Sequence, residues 1–237
     1  LWAMGRNNYG QLGDATTTDR NVSVQILASG VSAVSANYYQ SFYLKTDGTL
    51  WAMGRNNYGQ LGDGTTTDRN TTAIQVDTNV TAVTAGYNHT LYLKSDGSLR
   101  AMGRNNKGQL GDGSITDRNS SVEVEASGVS AIAAGQYHSL YLKNDGSLRA
   151  MGRNNKGQLG DGTTNDSNIS LQILTGLQMQ PKRVTVNATA GGSTTGAGTY
   201  DLNATANLTA TPNTGYLFTG WAGELVSSDA NVTLAMS

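Results

Sequence analysis

Apolar and polar positions alternate along the first three quarters of the chain in short runs typical of β-strands. In the run 139–143, leucines alternate with larger or polar side chains, which predicts a strand with Leu140 and Leu142 on one face. An Asp-Gly pair follows such runs and predicts a two-residue hairpin turn in which both central residues have positive φ. The pair occurs at 47–48, 96–97 and 145–146. A further strand is predicted over 128–134, where small side chains would let neighbouring sheets approach closely.

The pattern repeats with a period of 49 residues. The motif Leu-Trp/Arg-Ala-Met-Gly-Arg-Asn-Asn begins at Leu1, Leu50, Leu99 and Leu148. A period near 50 fits one four-stranded propeller blade per repeat, whereas common helical repeats are shorter and show a periodicity of 3.6. The repeats therefore run over 1–49, 50–98, 99–147 and, in part, 148–178.

Both ends of the repeat region carry the same half of the repeat. The half that contains Leu-Trp/Arg-Ala-Met occurs four times, and the half that ends in Leu-Lys-x-Asp-Gly occurs three times. A propeller usually closes by joining complementary halves in one blade, so the sequence predicts an incomplete ring. Seven blades would need about 340 residues, so further blades are expected on the N-terminal side. The exposed strand edges of such a fragment would favour aggregation.

Three motifs within the repeat are specific enough to identify a family. They are Gly-Arg-Asn-Asn-Tyr-Gly-Gln-Leu-Gly-Asp-Gly at 54–64, Ala-Gly-Tyr-Asn-His at 85–89 and Leu-Tyr-Leu-Lys-Ser-Asp-Gly at 91–97. Together they resemble the regulator of chromosome condensation repeat, over residues 1–178. The resemblance implies an all-β fold, part of a seven-bladed propeller. The small divergence between copies is similar to that of bacterial expansions of this repeat.

A second module follows where the period ends, after Leu177. Residues 183–237 contain the series Pro-x-x-Gly-Tyr-x-Phe-x-Gly-Trp and resemble the divergent internalin-type B repeat, a small β-rich module typical of bacterial surface or secreted proteins. We expect Tyr216, Phe218 and Trp221 in its core, because so short a domain needs large apolar side chains to bury.

Composition narrows the possible chemistry. The chain has 30 glycines, 2 prolines and 14% charged residues, as expected of short strands joined by tight turns. It has no cysteine, which excludes a disulfide framework, a thiolate nucleophile and a cysteine-ligated metal site. No apolar run approaches the roughly 18 residues of a membrane helix, so we expect no membrane insertion in this window.

Charge balance argues against nucleic acid as a partner. The chain has 16 basic and 17 acidic residues, and setting aside the two basic and three acidic residues of 181–237 leaves 14 of each in the repeats. Phosphate binding relies on clustered positive charge, which a balanced count does not indicate.

Candidate catalytic and metal-binding residues are few. His89 and His138 share a position with Gln40, and a general base or metal ligand cannot be exchanged for Gln, so a structural role is expected. The loops 14–19 and 63–68 each carry two carboxylates five residues apart, which suggests calcium, but the intermediate ligands of an EF-hand are missing. No Ser/His/Asp set or P-loop is present. We therefore expect no catalytic residue, metal or cofactor, and no enzyme.

Differences between copies indicate a binding surface, because Tyr gives contact area at low entropic cost on a rigid scaffold. The residues just before the histidine position vary, and they are Tyr38, Tyr39, Tyr87, Asn88, Gln136 and Tyr137. A second variable position lies in the Arg-Asn-Asn loop and holds Tyr9, Tyr58, Lys107 and Lys156. Neutral drift in exposed loops would give the same pattern.

The expected function is non-catalytic binding of another protein or a surface glycan. The B-type module would act as a spacer or adhesion stalk in a secreted or cell-surface bacterial protein, with the signal peptide outside this window. The alternative is a propeller-type inhibitor of a secreted enzyme, as resemblance to one bacterial relative implies. Guanine nucleotide exchange is a more distant alternative, since no motif identifies the exchange residues.

Overall fold

The computed structural model describes residues 1–174, 182–200, 205–222 and 227–235, and every regular element in these ranges is a β-strand. The chain divides into two compact units, Leu1–Leu177 and Gln178–Ser237. Within the described ranges, no helix is long and apolar enough to cross a membrane.

The first unit contains three four-stranded antiparallel sheets, which are consecutive propeller blades. The first blade consists of β3 (Val31–Asn37), β4 (Gln40–Lys45), β5 (Leu50–Gly54) and β6 (Arg69–Asp77). The second consists of β7 (Val80–Ala85), β8 (His89–Lys94), β9 (Leu99–Gly103) and β10 (Arg118–Glu125). The third consists of β11 (Val129–Ala134), β12 (His138–Lys143), β13 (Leu148–Gly152) and β14 (Ser167–Leu174). Before them, β1 (Trp2–Gly5) pairs with β2 (Arg20–Gln25) as the third and fourth strands of a partial blade.

Each blade combines the second half of one 49-residue repeat with the first half of the next. The predicted strand at 128–134 is β11, the first strand of its blade. Its counterparts β3 and β7 contact each other, and β7 contacts β11, so the first strands are the inner strands of the ring. Their small Ser, Thr and Ala side chains permit this approach.

The apolar core lies between blades rather than within them. Phe42 and Leu44 of the first blade pack against Tyr92 and Met102 of the second. Leu91 of the second blade packs in the same way against the third. A blade therefore buries both faces, its tyrosine face on the preceding blade and its leucine face on the following one.

Leu140 and Leu142 lie on one face of β12, as the alternation predicted, and Tyr141 lies on the other. The two leucines are partly buried, whereas Tyr141 is 1% exposed. Tyr141 packs on the second blade, and the leucine face is the one that a following blade would cover.

The Asp-Gly turns also differ from the prediction. Gly48 has a φ of +80°, but Asp47 is not in the positive-φ region. The Gly48 N–H donates to the Lys45 carbonyl at 3.0 Å, and the register resumes at Leu44 and Leu50. The hairpin is thus a type I turn followed by a left-handed glycine, in which only one residue needs positive φ.

The second unit contains two small antiparallel sheets. One pairs β15 (Lys182–Val184) with β17 (Gly198–Tyr200), and the other orders β16 (Gly192–Thr195), β18 (Thr205–Pro212) and β19 (Asn231–Ala235).

Ala206 and Leu208 form the core of the second unit, with Trp221 packed against them. Phe218 is partly buried, with its ring 5.6 Å from that of Trp221. The expectation for Tyr216 was wrong. The residue is 58% exposed, and its ring lies over Gly191, outside the core cluster.

Candidate functional site: a tyrosine–arginine face

Two sets of loops meet at one end of the blades. Since β3 to β6 pair antiparallel in order, β3 and β5 run in the same direction. The turn after β3 and the loop after β5 are therefore on the same face of the propeller, and the same holds in the next two blades. These are the segments in which the sequence predicted the two variable positions.

Tyrosines from the two variable positions form a continuous chain of ring contacts. Tyr9 lies 5.2 Å from Tyr39, and Tyr38 lies 5.8 Å from Tyr39, between ring centroids. Tyr87 is 5.6 Å from Tyr38 and 5.9 Å from Tyr137. Tilted and edge-to-face geometries of this kind are favourable for aromatic pairs. The chain extends from the partial blade to the third blade.

An arginine that follows the third strand of each blade packs on these rings. The Arg55 guanidinium lies 5.1 Å from the Tyr9 ring and 5.2 Å from the Tyr39 ring. The Arg104 guanidinium lies 4.8 Å from the Tyr58 ring. Arg6 and Arg153 lie 5.4 Å from Tyr39 and 5.5 Å from Tyr137, respectively. All are within cation–π range. We call this set the tyrosine–arginine face: Tyr9, Tyr38, Tyr39, Tyr58, Tyr87, Tyr137, Arg6, Arg55, Arg104 and Arg153.

Carboxylates pair with four other arginines of the same unit: Arg20, Arg69, Arg100 and Arg118. In the part of the chain that the structure describes, no carboxylate oxygen lies within 4.0 Å of a guanidinium nitrogen of the four arginines of the face.

A buried asparagine next to each arginine fixes the loop. Asn56 is fully buried, and its Nδ2 donates to Asp63 Oδ1 at 3.0 Å and to the Thr65 carbonyl at 3.1 Å. Its Oδ1 accepts from the Leu61 N–H at 2.9 Å, and its own N–H donates to Asp68 Oδ1 at 2.7 Å. The same network surrounds Asn7, Asn105 and Asn154. The loops are therefore held by internal hydrogen bonds.

These bonds also account for the carboxylate pairs that suggested calcium. Asp14 Oδ1 accepts from the Thr16 hydroxyl at 2.8 Å, and its Oδ2 accepts from Arg20 Nε at 2.6 Å. Burial alone would raise the pKa of Asp14, but the hydrogen bonds from Thr16 and Arg20 outweigh it and lower the pKa to about 2. Asp19 accepts instead from the Asn7 N–H. Among the described residues, no three carboxylate, imidazole or thiol groups come together as a metal site.

The histidine position links neighbouring blades. His89 is fully buried, and its Nε2 lies 2.9 Å from Ser139 Oγ. Since Ser139 Oγ donates to the Gln109 carbonyl at 2.7 Å, the Nε2–H of His89 is the donor to Ser139. Burial lowers the pKa of His89 to about 3, with a smaller effect of His138. In the first copy, Gln40 Nε2 donates to the Gly86 carbonyl of the next blade at 2.8 Å.

The predicted site residues have different environments. Tyr38 is the most exposed of the tyrosines, at 68%, and Gln136 and Lys156 are also exposed. Lys107 forms an ion pair with Asp166 at 3.1 Å. Asn88 is only 4% exposed, so its side chain adds almost no area to the surface.

The four arginines were missed because they are identical in every copy, whereas the prediction used positions that vary. Their signal was available in the invariant Gly-Arg-Asn-Asn motif. The balanced charge count also hid them, since a total cannot show that unpaired cations share one face.

Two family models match the chain within the first unit. One, the regulator of chromosome condensation (RCC1) repeat, matches 47–93 and 96–142, and a second RCC1 repeat model matches 31–60, 80–109 and 129–158. Together they span 31–158, more than half of the chain. A third model, the divergent InlB B-repeat domain, matches 182–237. Both resemblances drawn from the motifs are confirmed.

Solved structures show the same propeller fold. Human WBSCR16 is 20% identical with a TM-score of 0.65, and the match covers 78% of this chain and 50% of that protein. Yeast RCC1 (Prp20), solved bound to Kap60, is 20% identical with a TM-score of 0.61 over 73% of this chain and 44% of its own. A structure of Saccharomyces cerevisiae Prp20p, described with its binding properties to Gsp1p and histones, is 21% identical with a TM-score of 0.54, over 82% and 48%. The chain thus spans about half of these proteins. No curated protein sequence matches it.

Proposed function

This chain belongs to the RCC1 repeat family, and we propose that it is a protein-binding propeller whose contact surface is the tyrosine–arginine face. The observation that carries the proposal is the unbroken series of tyrosine rings and unpaired arginines across all the blades. Tyr and Arg are the residue types that most often dominate binding energy at protein interfaces. A yeast protein of this fold, RCC1 (Prp20), has been solved bound to another protein, Kap60, which supports a protein as the class of partner.

The rigidity of the face favours this function. The rings contact one another before any partner arrives, and the loops beneath them are fixed by buried asparagines. A surface that is already ordered loses little side-chain entropy on binding, so more of its contact energy appears as affinity.

The role we propose is non-catalytic and extracellular, in a secreted or cell-surface bacterial protein with the C-terminal module as a spacer. A non-catalytic role is supported by the titratable side chains Asp14 and His89, because both make hydrogen bonds within the propeller unit. The match to an InlB B-repeat over 182–237 supports the secreted or cell-surface location. Sequencing the gene on both sides of this window tests the location. A secretion leader is expected upstream, and a complete upstream sequence without one would contradict it.

Replacing one tyrosine of the face in each complete blade tests the contact surface. We expect Tyr38→Ala/Tyr87→Ala/Tyr137→Ala in the full chain to weaken binding of a protein partner at least about 30-fold, since aromatic anchors often contribute more than about 1 kcal/mol each. The partner is first captured with the unmodified chain from host culture fluid, then purified and titrated by calorimetry.

The matched control replaces one residue per blade at the opposite end, in the hairpin turns: Thr46→Ala/Ser95→Ala/Asn144→Ala. These side chains are exposed, and the control should bind like the unmodified chain. Equal affinity of all three proteins, or a loss in the control alone, would remove the tyrosine–arginine face as the contact surface. Loss of binding after enzymatic deglycosylation of the partner would indicate a glycan ligand instead of protein.

A further inference from the structure

We infer that the tyrosine–arginine face binds an acidic protein segment whose carboxylates are held by the arginines and whose apolar residues lie on the tyrosines. The inference rests on the proposed function and gives its partner a chemical class.

The first support is that the guanidinium groups of the face contact aromatic rings and form no ion pair among the described residues. Arg55 lies against the rings of Tyr9 and Tyr39, and Arg104 against those of Tyr58 and Tyr137. A guanidinium carries five N–H donors in one plane, and a cation–π contact with a ring does not use them in hydrogen bonds to oxygen, so they remain for an acceptor. A carboxylate is the acceptor that matches two adjacent N–H groups, and such charge-assisted pairs are among the strongest hydrogen bonds in proteins.

The second support is the repetition of this arrangement. One such arginine follows the third strand of the partial blade and of each complete blade, at 49-residue intervals in the sequence. The tyrosine chain connects all four positions. An extended segment that crosses the blades would therefore meet a cation and an aromatic surface at each step. Single carboxylates separated by apolar residues match that alternation.

Carboxylates close to the face favour an acidic protein over a nucleic acid. In each loop a further aspartate accepts a hydrogen bond from the backbone N–H of the buried asparagine that follows the arginine. These aspartates are Asp19, Asp68, Asp117 and Asp166. A nucleic acid carries closely and evenly spaced phosphates, about one per 1.7 Å of duplex, and would bring some of them against these carboxylates. A protein segment can place its charges only where the arginines are.

Binding of defined probes by the full chain tests the inference. The probe is a fluorescein-labelled peptide of repeated Glu-Leu-Gly-Ser units, with the Gln-Leu-Gly-Ser peptide and an oligothymidylate of equal charge as comparisons. Fluorescence anisotropy should show binding of the Glu peptide, at least about tenfold weaker binding of the Gln peptide, and a loss of Glu-peptide affinity with added salt. Equal binding of the two peptides, or tighter binding of the oligothymidylate, would overturn the inference.

Substitution of the two central arginines locates the interaction. Arg55→Gln/Arg104→Gln should weaken Glu-peptide binding at least about tenfold, and Arg55→Lys/Arg104→Lys should restore only part of it, because Lys lacks the planar fork. The charge-matched control Lys45→Gln/Arg100→Gln lies outside the face and should bind normally. An equal loss in the control would show a net-charge effect and reject the site. Circular dichroism spectra and cooperative melts should show that every variant is folded at the temperature of the binding measurement.

The natural partner separates failure of this inference from failure of the proposed function. If the tyrosine variant weakens partner binding but Arg55→Gln/Arg104→Gln does not, the contact surface is correct and the acidic segment is wrong. If neither variant weakens partner binding, the proposed contact surface and the acidic segment are both wrong. If each variant weakens partner binding, the two proposals are both supported.

Discussion

Gly108→Ala should destabilise the propeller unit by about 3–5 kcal/mol, whereas Gly157→Ala, at the same position of the next copy, should cost only about 1 kcal/mol. The two glycines have φ values of +75° and +74°, so both pay the same conformational cost for a side chain. They differ in what surrounds them. A Cβ on Gly108 would lie 2.3 Å from Asn168 Cα and 2.5 Å from the Ser167 carbonyl oxygen, on the outer strand of the next blade. At Gly157 the nearest atom among the described residues is the Thr163 carbonyl oxygen, at 4.0 Å.

Guanidinium denaturation of the two variants and the unmodified chain measures the difference. The excess cost of Gly108→Ala over Gly157→Ala reports the docking of one blade's loop onto its neighbour, because the backbone strain cancels. Equal losses in the two variants would mean that conformation alone decides the cost and that this blade contact contributes nothing.

Much of the propeller could be read from the sequence, since its period and its strand patterns are local signals. The faces of the strands could not be assigned in the same way. Alternation shows that Leu140 and Tyr141 point to opposite sides, but it does not show which side has a neighbour. In a propeller both sides of an interior blade are covered, so the position of a blade in the ring decides burial. For the same reason the 49-residue unit does not show where a blade begins.

The sequence predicted the residues of the candidate site that differ between copies of the repeat, and it missed those that are identical in every copy. The tyrosines of two separate loops were predicted, and the structure joins them into one surface through contacts such as that of Tyr9 with Tyr39. The arginines depend on packing that no single repeat shows, because Arg55 lies on a ring from the preceding partial blade. Tyr216 was predicted in a core where it does not lie, since a large apolar side chain in a small domain need not be buried.

Gly86→Asn should destabilise the chain by about 3 kcal/mol or more, and adding His89→Gln should recover about 2 kcal/mol of that loss. A Cβ on Gly86 would lie 2.1 Å from His89 Cε1 and 2.4 Å from Nδ1, and the ring is fully buried and cannot move aside. The first copy carries Asn37 and Gln40 at these two positions.

A double-mutant cycle measured by guanidinium denaturation tests this coupling. His89→Gln alone should cost only about 1 kcal/mol, because a Gln can donate across the blade interface as Gln40 does to the Gly86 carbonyl. Strictly additive losses in the double variant would show that the imidazole does not set the requirement for glycine.

His89→Gln should also weaken the pH dependence of stability, which separates the imidazole's charge from its shape. The pKa of His89 is lowered from 6.5 to about 3 in the folded chain, so between these values the unfolded state binds a proton that the folded state does not. Stability therefore decreases as the pH is lowered through this window, with a limiting slope of about 1.4 kcal/mol per unit and a total of about 2 kcal/mol from pH 7 to 5. His138 shifts in the same direction and remains in the variant, so only the difference between the two proteins reports His89. Unfolding free energies at pH 7 and 5 that change equally in both would show that His89 takes up its proton without unfolding.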